Sequence, residues 1–140
     1  MNKNETGAPE SWLGPSGLYI LDDDHSILPA KSLVEWSQFM ADTDRRVAES
    51  TIGPWEVSTI FLGMDHNFDK KSSTPLLFET KVSRNRPIEE GELYIIDASG
   101  REDIQEHCST WSQAEAQHQL IVAKVRDRTA HSLLHRGSRE

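Results

Sequence analysis

Residues 110–125, TWSQAEAQHQLIVAKV, constrain this chain more than any other stretch. Thr110 and Gln113 have the spacing of a capping box, in which the hydroxyl accepts from a first-turn amide and the longer side chain reaches back. Beyond the cap, Trp111, Ala114, His118, Ile121, Val122 and Val125 recur at three- and four-residue steps. They form an apolar stripe about four turns long. A helix that is apolar along one side must lay that side against another layer, so the rest of the chain has to supply a matching surface.

A sheet is the predicted partner. In WEVSTIFLG, Trp55, Val57, Thr59 and Phe61 face one way, and Glu56, Ser58, Ile60 and Leu62 face the other, which is the period of a strand. With the Gly-Pro turn signal in IGPW before it, this reads as a hairpin with strands near 45–52 and 55–63. PLLFETKV is the next strand, its Pro75 tolerated at the start. NFDKKSST and SRNRPIEEG are loops, ELYIID is a further strand, and REDIQEHC is a weaker one. Nearer the N-terminus, GLYIL is a short strand, DDDH a turn, and SILPAK leads into a first helix. Ser32 and Glu35 cap that helix, and Leu33, Trp36, Phe39 and Met40 share its apolar face.

Strands that follow one another in succession favour antiparallel pairing. The expected fold is therefore α+β: an antiparallel sheet of about four to six strands with two helices packed on one face, in a single domain. Residues 17–127 form that domain, residues 1–16 a loose arm pinned by Trp12 and Leu13, and residues 128–140 a polar, basic tail. Trp36, Trp55 and Trp111 are expected in the core, and any that is exposed would serve as an interface anchor.

Charge limits the partners. A formal net charge of −8 opposes direct binding to a phosphate backbone, because that affinity comes from Lys and Arg displacing counterions. The same charge permits the opposite role, competing for a basic surface, although most acidic proteins are merely soluble. Cys108 is the only cysteine, so an intrachain disulfide and a Cys-rich zinc site are excluded. The N-terminal stretch has no apolar signal region and no run reaches the ~18 apolar residues of a membrane span, so the expectation is a cytoplasmic protein without membrane association. The oligomeric state is left open, a homodimer included.

The catalytic candidates are Asp65, His66, Glu79 and His118. Asp65 and His66 follow an apolar strand directly and could act as a base with its orienter or as ligands to a divalent ion. Glu79 comes near them if its strand pairs with the one before. The competing reading is that Asp65 and Asn67 bond to their own backbone and only shape a turn. His118 lies on the apolar stripe, where a histidine is ordinarily a core residue with one ring nitrogen satisfied. Cys108, with His107 before it, could be a nucleophile or a small buried hydrophobe. Asp22, Asp23, Asp24 and His25 make an oxygen-rich turn, but the glycine and distal glutamate of a calcium loop are missing. His131 and His135 have helical metal-pair spacing without the glutamate of HExxH. No cofactor is expected, since neither GxxxxGKS/T nor GxGxxG occurs.

The segments RRVAESTIG, VSTIFLGMDHNF, PLLFETKV and STWSQAEAQH together resemble a group of small proteins encoded by phages and prophages, over roughly residues 18–125. The resemblance implies viral origin and action in the host cytoplasm, and it carries over no catalytic residue. The expected function is that of a non-catalytic accessory protein that binds a host or bacterial-defence protein as an inhibitor. Two alternatives stand beside it: a small metal- or nucleotide-binding hydrolase-like protein using the Asp65–His66 loop, and a structural or morphogenetic virion component.

Overall fold

The computed structural model describes residues 16–67, 74–92, 95 and 104–138, with side chains described no further than residue 129. The expected arm falls on residues that, Ser16 apart, lie outside this set, as does most of the expected strand ELYIID. Among the described residues the order is β1 (Tyr19–Leu21), β2 (Ile27–Pro29), α1 (Leu33–Asp42), β3 (Arg46–Ile52), β4 (Trp55–Phe61), β5 (Phe78–Arg84), β6 (Ile104–Cys108) and α2 (Trp111–Ser138). The class is α+β with antiparallel pairing throughout.

β3, β4, β5 and β6 form one sheet in that spatial order, and α2 lies across all four strands. β3 and β4 turn through Gly53 and Pro54, with Ile52 opposite Trp55. Gly53 takes φ 59°, the positive value that a tight hairpin requires at its first central position. The alternation read in β4 is realised: Trp55, Val57, Thr59 and Phe61 are all buried towards α2, as are Phe78, Thr80 and Val82 on β5. Two apolar clusters fill the interface. One joins Trp55, Val57 and Val82 to Ile95 and to Ile121, Val122 and Val125 of α2. The other joins Phe61, Leu77 and Phe78 to Ala114, with Trp111, Cys108 and Phe39 packed against them. The helical stripe thus meets the sheet along its expected residues.

Both capping boxes form. Gln113 N–H donates to Thr110 Oγ1 at 3.1 Å, and Gln113 Oε1 accepts from Thr110 N–H at 3.2 Å. Glu35 N–H donates to Ser32 Oγ at 3.0 Å, while the Glu35 carboxylate reaches one residue further back, to Lys31 N–H at 2.7 Å. α2 continues to Ser138, so residues 128–138 of the expected tail are helical.

The first third of the chain differs from the expectation in detail. β2, inside SILPAK, pairs with β1 as a separate two-stranded sheet, with Ile20 opposite Leu28. α1 packs on β1, leaving α2 as the helix that covers the larger sheet. Tyr19, Leu21 and Ile27 pack on the Phe61 cluster; Leu33 is 60% exposed, because α1 touches the core through Phe39 and through Trp36 and Met40 at Gly63. Gly63 is the joint. Its carbonyl accepts from Tyr19 N–H and from Trp36 Nε1–H, both at 2.9 Å, and its φ is 75°. A Cβ there would lie 2.7 Å from Met40 Sδ. Gly63→Ala should therefore lower stability by about 1–3 kcal/mol, measured by urea unfolding, through left-handed strain and displacement of Met40.

Candidate functional site

The Asp65–His66–Asn67 group sits where β4 has left the sheet. Asp65 Oδ1 accepts from Asn67 N–H at 2.8 Å and from Leu76 N–H at 2.9 Å, while Asp65 N–H donates to Gly17 O at 3.0 Å. Asn67 is buried and its side-chain amide donates to Thr74 O at 3.1 Å. His66 N–H donates to Leu76 O at 2.8 Å, and ring Nδ1 donates to Met64 O at 3.1 Å. The loop is sewn to the segment entering β5 by these bonds, and one oxygen of Asp65 organises two backbone amides, as an Asx turn does.

The His66 ring lies over His107 on β6, ring centroids 5.6 Å apart and 17° from parallel. Glu79 is opposite His107 in register, and Glu79 Oε2 comes within 3.2 Å of His107 Nε2. That approach lies off the line of a hydrogen bond, so Nε2 is buried with ionic proximity to Glu79 but no directed bond. His66 and Glu79 are therefore brought together, through a third residue. Among the described residues, no three His, Cys, Asp or Glu side chains are grouped so as to hold a metal ion.

His118 is elsewhere, on the opposite side of the sheet and fully buried. Its Nε2 lies 2.9 Å from Ser50 Oγ and its Nδ1 lies 2.8 Å from Thr59 Oγ1. Both ring nitrogens are satisfied, where a single satisfied nitrogen was expected. Thr59 Oγ1 is also 2.7 Å from Thr80 Oγ1, which donates to Gln117 Oε1 at 3.0 Å, and Gln117 Nε2 donates to His107 O at 3.4 Å.

These contacts fix a direction. The main-chain carbonyl of His107 orients the Gln117 amide, so Thr80 must spend its one hydroxyl proton on Oε1. Thr80 then accepts from Thr59, and Thr59, its proton spent, accepts from His118. The histidine is consequently the Nδ1–H tautomer, and Ser50 donates to Nε2. A one-way relay runs from β3 through α2, β4, β5 and α2 again to β6. The signal for it was visible in part: Thr59 occupies an inward position between apolar neighbours, level with a histidine on an apolar stripe. Its partners Ser50, Thr80 and Gln117 carried no local mark.

Cys108 packs with Phe61, Phe78 and Trp111, and burial pushes its thiol pKa up, away from the thiolate that a nucleophile needs. His107 turns to the other face of β6, so the two do not act together. His25 of the acidic turn has φ 70° and stacks on Trp111, centroids 3.6 Å apart and 8° from parallel, which ties the β1–β2 hairpin to the start of α2. The side chains of His131 and His135 lie outside the described residues. No helix among the described residues is long and apolar enough to cross a membrane. In comparisons with known proteins, no family model, curated protein or solved structure matches the chain.

Two outcomes follow for the relay. Thr59→Val keeps the shape but leaves His118 Nδ1–H without an acceptor, and should cost about 1–3 kcal/mol in urea unfolding, whereas Thr59→Ser retains the relay. Burial pushes the His118 pKa below its ordinary value of 6.5. The unfolded chain then binds the proton more readily, so this contribution to stability is complete above pH 6.5 and is lost as pH falls below it. Urea midpoints taken from about pH 7.5 down to about pH 5 should fall, and His118→Gln, itself less stable, should show a shallower fall.

Proposed function

We propose that the chain is a phage-encoded accessory protein that acts without catalysis, by binding a host or bacterial-defence protein. What carries the reading is the employment of the candidate residues: Asp65 organises a loop, His66 and Glu79 flank His107, and His118 sits inside a closed relay. None of these joins a nucleophile, a base and an orienting group around a place for a reacting atom. Exposed apolar side chains, by contrast, are available at several points, most of them in the first half of the chain and Leu120 on α2. Among the described residues the large exposed ones are Leu28, Leu33, Val34, Met64 and Leu120. The first three fall within seven consecutive residues, and Met64 bridges to Leu18 beside β1. Exposed aliphatic side chains of this kind are available for contact with a partner.

Tagged protein in lysates of infected and uninfected bacteria is the direct test, with the His66→Ala variant run beside it. The expected result is an enriched protein captured equally by wild type and variant, to within about twofold. Failure to enrich any partner would overturn the reading. A nucleotide- or metal-dependent activity abolished by His66→Ala at nearly unchanged melting temperature would instead establish the hydrolase-like alternative, and recovery of the chain in purified particles would establish the virion alternative.

A further inference from the structure

Among the described residues the four-stranded sheet ends on β3, and nothing pairs with the outer side of that strand. Ile52 and Trp55 flank the two-residue turn, and Phe61 N–H donates to Arg45 O at 2.8 Å, so the odd-numbered residues of β4 bond towards β3. The peptide groups of Ser50 and Ile52 answer them. Alternation then turns the N–H and C=O of Glu49 and Thr51 outward, where they have no hydrogen-bond partner among the described residues. Edge strands are ordinarily blunted by lysine, proline or a bulge. β3 has its bulge only at the start, between Arg46 and Ala48, and residues 48–52 include neither proline nor lysine.

We propose that β3 pairs antiparallel with β3 of a second copy of this chain, about a two-fold axis at Ser50, so that one sheet runs through the dimer. The inference is independent of what else the chain binds. In this register Glu49 lies opposite Thr51 of the second copy and exchanges both backbone bonds with it. Ala48 lies opposite Ile52, small against large, on the face towards α2. An axis at Glu49 would instead set two carboxylates against each other, and an axis at Thr51 would run Glu49 into the turn at Gly53.

The position of α2 selects the occupant. His118 bonds to Ser50 of β3 and to Thr59 of β4, so α2 passes over the gap between those strands. With strands about 4.8 Å apart, the two copies of α2 come to lie about 10 Å from each other, a packing distance for helices. Gln117 reaches Thr80 on β5 and His107 O on β6, so the flank half a turn away, Glu115, Gln119 and Arg126, lies on the β3 side. All three are exposed, and charges of both signs are present among them. An unrelated extended peptide would gain the same backbone bonds, but its inward side chains would lie uncovered beside α2. A second copy brings its own helix to cover them. The net charge of −8 on each copy acts against association, and salt screens it.

The test is sedimentation of the full chain from about 1 µM to about 500 µM, with amide exchange measured at both ends of that range. The expected result is a reversible dimer that tightens as salt is raised. The amides of Glu49 and Thr51 should exchange freely at the low end and be protected at least about tenfold at the high end. Those of Ser50 and Ile52, bonded to β4, should be protected at both. Thr51→Pro removes an outward N–H without touching the bonds to β4, and should weaken the dimer at least about tenfold. Should that variant not fold, the sign of charge at position 51 decides. Thr51→Glu sets a carboxylate opposite Glu49 of the second copy and should weaken the dimer several-fold, whereas Thr51→Lys should tighten it. A chain that stays monomeric throughout the range would overturn the proposal. So would a dimer in which the Glu49 and Thr51 amides remain unprotected, or one that ignores the charge at position 51.

Discussion

The fold depends on one buried arrangement, the hydrogen-bond relay through His118. Apolar packing holds α2 against the sheet, but packing by Ile121, Val122 and Val125 says little about where along the strands the helix must rest. Directed bonds say it fully. Ser50, Thr59 and Thr80 each present one hydroxyl from a different strand, and His118 and Gln117 answer from adjacent positions on the helix. A slide by one residue would leave several buried donors and acceptors without partners, each costing about 1–3 kcal/mol. A closed polar network of this kind specifies a unique packing more sharply than it adds stability. Its one-way sense also explains why a histidine serves here: neutral imidazole accepts at one nitrogen and donates at the other, so it passes the direction on.

The relay divides the molecule into faces with different uses. The inner face of the sheet is closed by α2, and its polar atoms are engaged. The outer face carries Glu79 and His107, with His66 laid over them from the loop. Proximity of two imidazoles and a carboxylate resembles a reactive cluster, but Asp65, the neighbour that could have oriented one of them, already holds two backbone amides. The hairpin and α1 form the third region. Attached through Gly63 and His25, they have no fully buried residue in the helix, so their outward side chains are not needed for the core.

What could be read from the residues followed the range of the interactions concerned. The capping boxes at Ser32 and Thr110 span three residues each, and the alternation of Trp55 to Phe61 repeats every second residue, so a short window contains the whole signal. β2 is only Ile27–Pro29, and what makes it a strand is pairing with Tyr19–Leu21 across the acidic turn. Leu33 has the spacing of an inward residue on α1, yet the helix meets the core only from Trp36 onward. Residues 128–138 carry no continued apolar stripe in the sequence, so no periodic signal extended α2 to Ser138. At the candidate site, Asp65 as a turn-former was legible as an alternative. His107 as the residue joining His66 to Glu79 was not, because strand register decides which side chains face each other.

The same separation of ranges bears on how binding and folding relate in this chain. Core residues on α2 and β4 are constrained twice, by volume and by the polar relay, so most changes there must be felt as loss of stability. Leu33 and Val34 contribute almost nothing to the core, and a helix cap at Ser32 with Glu35 keeps α1 started whatever apolar residue follows. Exposed apolar residues with no structural duty bring a solubility cost. A net charge of −8 over the whole chain opposes that cost by favouring solubility.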